Sequence, residues 1–229
     1  METGGDRNND RECTSAEDFV VHIVDDDDSF RTSVLRLLRS KNIRAVGYAT
    51  LAEFERADAD DSPGCVLLDI CMPDGDGLAM FERLAGDESV LPVIFVSAYA
   101  DIPTSVRVMK SGALDILVKP VRGEQLLEAL DHARKVALRR YAAHTEVRGL
   151  LERYRTLTDR ERAVFAGVAE GKLNKQVAVE VGACERTIKS ERAKMMKKLQ
   201  LTRLVDVVRA AEIVGLKLSF DGPTTERQP

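Results

Sequence analysis

Short apolar runs rich in Val, Ile and Leu recur through the first half of the chain at Val20–Val24, Ala45–Tyr48, Cys65–Leu68, Val93–Val96 and Ile116–Val118. Runs so short and so continuous read as strands buried on both faces. Between them the apolar positions take a helical spacing: Ser29–Arg39 with Val34, Leu35, Leu37 and Leu38, then Leu51–Arg56, Leu78–Leu84 and Thr104–Lys110. Leu51–Arg56 is opened by Thr50 and Glu53 at the spacing of a capping box. Five strands alternating with helices predict an α/β domain built on a five-stranded parallel sheet covered on both sides. Ligands of such sheets gather beyond the carboxyl ends of the strands, so the residues after each run are the ones to inspect.

The pattern changes after residue 122. From Glu124 to about Arg155 there is no proline and a single glycine, and apolar positions recur at Leu126, Leu130, Ala133, Ala137, Val147, Leu151 and Tyr154. This predicts one long helix or two in tandem, the second half serving as a linker. Arg140 and His144 interrupt a heptad and leave a paired coil as one of two alternatives. From Leu157 onward the pattern is all-helical. Thr158 and Glu161 form another capping-box spacing, the next helix ends near Gly171, and "NKQVAVEVG" is a short helix closed by Gly182. The helix "ACERTIKSERAKMMKKLQ" follows, carrying Arg186, Lys189, Arg192, Lys194, Lys197 and Lys198. A short helix, a tight turn and a basic helix make a helix-turn-helix arrangement. Leu204–Leu218 reads as a supporting helix that pairs two copies. The expected domains are therefore 19–135, a helical linker 136–155, and 156–220, with disordered ends at 1–18 and 221–229.

Charge sharpens the division. The whole chain of 229 residues has a formal net charge of −4. Phe19–Gln125 holds 11 Lys and Arg against 18 Asp and Glu, whereas Thr145–Phe220 holds 16 against 10. Halves of opposite sign imply different partners. The amino terminus is polar and no run of eighteen apolar residues occurs, so a soluble cytoplasmic protein without membrane association is expected. Cys13, Cys65, Cys71 and Cys184 are far apart and form no CxxC pair, which suits reduced thiols rather than zinc ligands.

The ends of the runs assemble a chemistry. The first run offers Asp25 and Asp26 from "VDDDDS", the third Asp69, the fourth Ser97 and the fifth Lys119 followed by Pro120. An aspartate run alone reads as a solvated loop, but these companions at neighbouring strand ends make that reading a poor one. Three carboxylates plus a backbone carbonyl form a hard oxygen site of the kind Mg²⁺ accepts while keeping waters that a phosphate can displace. A lysine and a hydroxyl beside it suit the remaining oxygens of a phosphoryl group in transit to a carboxylate. "GDGLAM" lacks the third glycine of a dinucleotide fingerprint, because Met80 stands there.

"HIVDDDDS", "LLDICMPDGDGL", "VIFVSAYAD" and "ILVKP" resemble the receiver domain of bacterial two-component response regulators, which has a flavodoxin-like fold. "LTDRERAVFAGVAEGKLNKQVAVEVGACERTIKSERAKMMKKL" resembles the LuxR-type DNA-binding domain, and the combination is similar to the FixJ-like subfamily. The resemblance implies Asp69 as phosphoacceptor, Asp25 and Asp26 with the Cys71 carbonyl as Mg²⁺ ligands, Ser97 as switch hydroxyl and Lys119 as phosphoryl contact. It implies Thr187, Lys189, Ser190 and Arg192 as DNA contacts, and the basic cluster of that helix adds Arg186, Lys194 and Lys197 as expected phosphate contacts. It also implies a sensor histidine kinase, double-stranded promoter DNA and RNA polymerase as partners, and a homodimer on phosphorylation. Asp27 and Asp28 inherit no role and read as loop or helix-start charge.

Three positions depart from the family pattern. Ile116 replaces the aromatic residue often found three before the lysine, so packing of Ile116 and the fourth helix is expected to respond instead of a ring. Cys184 stands where Ser or Thr would cap the basic helix. Glu191 replaces His or Asn, and reads either as a cytosine acceptor or as a side chain turned away from DNA. Two other functions are weighed: a Mg²⁺-dependent phosphatase, which would normally need an acid where Cys71 stands, and a relay module whose helical half binds protein.

Overall fold

In the computed structural model, the structure describes residues 19–57, 62–73, 75–86, 91–98 and 102–216. The expected disordered ends lie outside these. In chain order the elements are β1 (Val20–Val24), α1 (Asp28–Ser40), β2 (Arg44–Tyr48), α2 (Leu51–Arg56), β3 (Gly64–Asp69), β4 (Cys71–Met72), β5 (Gly75–Asp76), α3 (Gly77–Gly86), β6 (Val93–Ser97), α4 (Ile102–Lys110) and β7 (Asp115–Val118). They are followed by α5 (Gly123–Arg155), α6 (Asp159–Ala169), α7 (Asn174–Glu180), α8 (Glu185–Leu199) and α9 (Leu204–Ile213). Contacts divide the chain into two compact units, residues 1–143 and 144–229, with the boundary inside α5.

The first unit holds a parallel sheet of order β2-β1-β3-β6-β7. Alternation along β1 splits its core in two. Val21 and Ile23 pack with Val34, Leu38, Leu126, Leu130 and Ala133 from α1 and α5. Val24 joins Val66, Leu68, Phe95, Met80, Phe81 and Val108 on the opposite face. Two of the five runs are not buried on both faces. Arg44–Tyr48 and Asp115–Val118 are the edge strands, and Val46 and Val118 remain about half exposed. An edge strand has a neighbour on one side only, so an apolar run need not mark a central position.

A second, two-stranded antiparallel sheet pairs Cys71 with Asp76 and Met72 with Gly75. It turns the chain tightly after Asp69, and Gly77 completes the turn: its amide donates to the Ile70 carbonyl at 3.2 Å, and a Cβ there would collide with the Asp69 carbonyl oxygen. The Thr50 hydroxyl caps α2 by accepting from the Glu53 amide, while Glu53 returns to the Ala49 amide at 2.7 Å rather than to Thr50 itself.

The second unit packs Phe165, Val164, Val168, Val177, Ile188, Met195, Leu199 and Val207 with Leu150 and Leu157. The segment beyond residue 122 is one helix, not two: α5 runs unbroken, its first half packing on the sheet and Leu150 entering this second core. The Thr158 and Glu161 capping box is complete. Gly182, at φ 64°, lets the chain leave α7 and start α8 within four residues. The supporting helix α9 is shorter than the apolar stretch that announced it, ending at Ile213.

Candidate functional site

Asp25 follows β1, Asp69 closes β3, Ser97 closes β6 and Lys119 follows β7, so parallel pairing carries all four to the carboxyl end of the sheet. Asp25, Asp69 and Ser97 are buried, and Asp26 is exposed at the rim. Carboxylate oxygens of Asp25, Asp26 and Asp69 lie within 4.8 Å of one another. The Lys119 Nζ sits 2.7 Å from Asp25 Oδ2 and 2.7 Å from Asp69 Oδ2. Only its contact with Asp69 has the direction of a hydrogen bond. Asp69 Oδ1 accepts from the Cys71 amide at 2.9 Å, which the β4–β5 turn places there. Asp25 Oδ1 accepts from the Asp27 amide at 2.9 Å.

Asp25 Oδ2 is therefore a buried carboxylate oxygen with a charge beside it and no directed donor. Such a lone pair, within a set of three carboxylates, fits a hard divalent cation that prefers oxygen ligands. Burial pushes the Asp25 carboxyl above its ordinary value, against the pull of the Lys119 ammonium and the Asp27 amide. Desolvation lowers the Lys119 ammonium, but its close contacts with the Asp25 and Asp69 carboxylates outweigh it and hold that group above its ordinary value. Lys119 is positioned further by the Phe30 ring, 4.6 Å from Nζ.

The four-aspartate run splits by neighbour. Asp27 is the N-cap of α1, accepting from the Ser29 and Phe30 amides at 2.9 and 3.2 Å. Asp28 pairs with Arg31 at 2.7 Å, and the same guanidinium donates to the Asp25 carbonyl at 2.6 Å. Sequence reasoning missed Arg31, although its position three residues after Asp28 on a helix was the available signal. Ile116 is partly buried against the core that α4 shares through Val108.

In the second unit, α8 turns Arg186, Lys189, Ser190, Lys194 and Lys197 outward, whereas Thr187 and Arg192 are half-buried. Arg192 donates to Asn174 Oδ1 at 3.3 Å, a tie to the start of α7 that the sequence did not suggest. Cys184 occupies the N-cap of α8 without a capping hydrogen bond from its side chain, its sulfur 3.1 Å from the Thr187 hydroxyl. The Glu191 carboxylate meets Arg160 of α6 at 3.0 Å.

Family comparison agrees with this division. Residues 21–131 match the response regulator receiver domain, and residues 155–211 match the bacterial regulatory proteins of the luxR family. The chain is 38% identical to nodulation protein W of Bradyrhizobium diazoefficiens over 90% of each chain. It belongs to the response regulators. It is also 31% identical to the transcriptional regulatory protein FixJ of the same organism, covering 86% of this chain and 96% of that one. Among solved structures, the response regulator StyR superposes with TM-score 0.70 at 33% identity, covering 85% of this chain and 98% of that one. Full-length FixJ from B. japonicum superposes with TM-score 0.51 at 31% identity, over 86% and 98%. This response regulator thus joins a flavodoxin-like receiver to a LuxR-type DNA-binding domain and is a transcriptional regulator of the two-component kind.

Proposed function

We propose that Asp69 of this regulator accepts a phosphoryl group from a sensor histidine kinase, and that loading Asp69 favours a dimer that binds promoter DNA. The observation that carries the reading is the convergence of Asp25, Asp26 and Asp69, with carboxylate oxygens within 4.8 Å of one another, beside the Lys119 ammonium at the carboxyl ends of the strands. Asp25, Asp26 and Asp69, with the Cys71 carbonyl, would hold Mg²⁺, which would supply positive charge to the phosphoryl oxygens. In the transfer the P–N bond to the kinase histidine breaks as a P–O bond to an Asp69 carboxylate oxygen forms. Lys119 follows the developing charge on the phosphoryl oxygens, Ser97 offers its hydroxyl, and the Cys71 amide orients the carboxylate before attack. The exposed Cys71 stands where a phosphatase would keep a carboxyl acid, which favours a persistent acyl phosphate over turnover and a regulator over an enzyme.

On the output side, Arg186, Lys189, Lys194 and Lys197 supply phosphate affinity, and Thr187, Ser190 and Arg192 complete the contact set. Half-exposed Val106 and Met109 of α4 and Val118 of β7 support a dimer surface on the receiver, and exposed Leu204, Val205 and Ile213 support pairing of α9. Recruitment of RNA polymerase completes the reading. No helix among the described residues is long and apolar enough to cross a membrane, in keeping with action in the cytoplasm. We take residues 19–135 as receiver, 136–155 as helical linker and 156–220 as DNA-binding domain. Acetyl phosphate with Mg²⁺ should add one phosphoryl mass to the protein. A modified Asp69→Asn variant would refute the assignment.

A further inference from the structure

The acids of α8 are Glu185, in its first turn where the helix dipole favours it, and Glu191, mid-helix among six cations. A carboxylate at mid-helix on a DNA-reading element should repel phosphate, yet Glu191 is 19% exposed and its two oxygens both lie 3.0 Å from the Nε of Arg160, which belongs to α6. Seven residues further along the same flank of α8, Lys198 lies 2.6 Å from Glu161, the neighbour of Arg160. The two ties have opposite polarity: α6 gives the cation in one and the anion in the other. Two crossed ion pairs about two turns apart on α8 resist both rotation and sliding of that helix, because a slip would set like charges together. Glu161 is itself fixed by the capping box with Thr158, so the strap is anchored at the rigid first turn of α6.

We propose that Arg160, outside the helix-turn-helix, acts on DNA binding through Glu191: by engaging that carboxylate it neutralises the mid-helix acid of α8, which would otherwise repel the phosphates. The inference rests on α8 being the DNA-facing helix. Glu191 is then a strap and not a base reader.

The test is a double-mutant cycle on the full-length protein, with fluorescence anisotropy on a mixed-sequence 30-base-pair duplex as probe, titrated at several salt concentrations. Arg160→Ala leaves Glu191 uncovered and should weaken binding about fivefold at moderate salt. Glu191→Gln alone should change binding less than about twofold, and Arg160→Ala combined with Glu191→Gln should return to within about twofold of the parent. The slope of log affinity against log salt in the combined variant should match the parent. A loss that persists in the combined variant, with a slope shallower by about one unit, would mean Arg160 itself grips a phosphate and would overturn the proposal. Should Arg160→Ala lower the folded fraction by circular dichroism, Arg160→Gln is measured in the same cycle with the same two outcomes. Binding by the parent that ignores salt would instead refute α8 as the interface, an outcome separate from either result of the cycle.

Discussion

Replacing Lys119 with methionine should destabilise the receiver in a way that both protons and Mg²⁺ reverse. The ammonium lies 2.7 Å from each of two buried carboxylates, and the Lys119 side chain is only 17% exposed. At an effective dielectric of about 20, each contact corresponds to about 6 kcal/mol of Coulomb attraction, largely offset by the cost of taking the three charges out of water. Removing one partner of a buried ion pair leaves a net cost of about 3 kcal/mol, because uncompensated charge remains inside. Methionine keeps most of the volume and isolates the charge. The readout is amide hydrogen exchange of peptides covering Val20–Val24 and Gly64–Asp69, which reports this unit apart from the helical one; 3 kcal/mol corresponds to about a hundredfold faster exchange. Burial already raises the Asp25 carboxyl above its ordinary value, and a raised carboxyl binds its proton more tightly folded than unfolded. Its contribution to stability is therefore greatest at low pH and declines as pH rises through the folded value. Losing Lys119 lifts that value further, so the deficit should be large at about pH 7.5 and much smaller at about pH 5. Millimolar Mg²⁺ at the higher pH should restore protection by supplying the missing positive charge. A deficit indifferent to both pH and Mg²⁺ would refute the account and reduce Lys119 to a packing side chain.

Arg31→Ala frees the Asp25 carbonyl and should weaken Mg²⁺ binding about tenfold by calorimetry, as loss of a group that orients a metal ligand does; unchanged affinity would show that the loop holds itself. Thr158→Ala removes the cap of α6 and should cost about 1 kcal/mol in the helical unit, read by hydrogen exchange over Asp159–Ala169. Glu161 is held below its ordinary value first by the Lys198 hydrogen bond and then by the Thr158 amide, so its stabilisation is complete above the unfolded carboxylate value and fades as pH falls through the folded one. Glu161→Gln should flatten that acid limb in a denaturant series, and a series unchanged by the substitution would contradict the pairing.

The sheet was legible because strands walled on both sides read as unbroken apolar runs, and Asp25, Asp69, Ser97 and Lys119 stood at their ends where parallel pairing had to gather them. The same rule misjudged Arg44–Tyr48 and Asp115–Val118, since composition does not say which strand lacks a neighbour. The β4–β5 pairing went unseen because two-residue strands have no periodicity to detect. Asp27 had a visible cue, an aspartate just ahead of a helical pattern, and took the cap. The ties of Arg192 to Asn174 and of Glu191 to Arg160 left no trace in spacing, because they join residues 18 and 31 apart on different helices.

The four adjacent aspartates are one letter repeated, yet each is embedded differently: one enclosed, one at the rim, one bonded to two amides, one reaching an arginine from open water. A saturation library across this run should therefore yield a gradient rather than a plateau. Asp25 would accept almost nothing, Asp27 would accept Ser, Thr or Asn, and Asp28 would drift nearly freely, so low complexity here conceals unequal selective constraint.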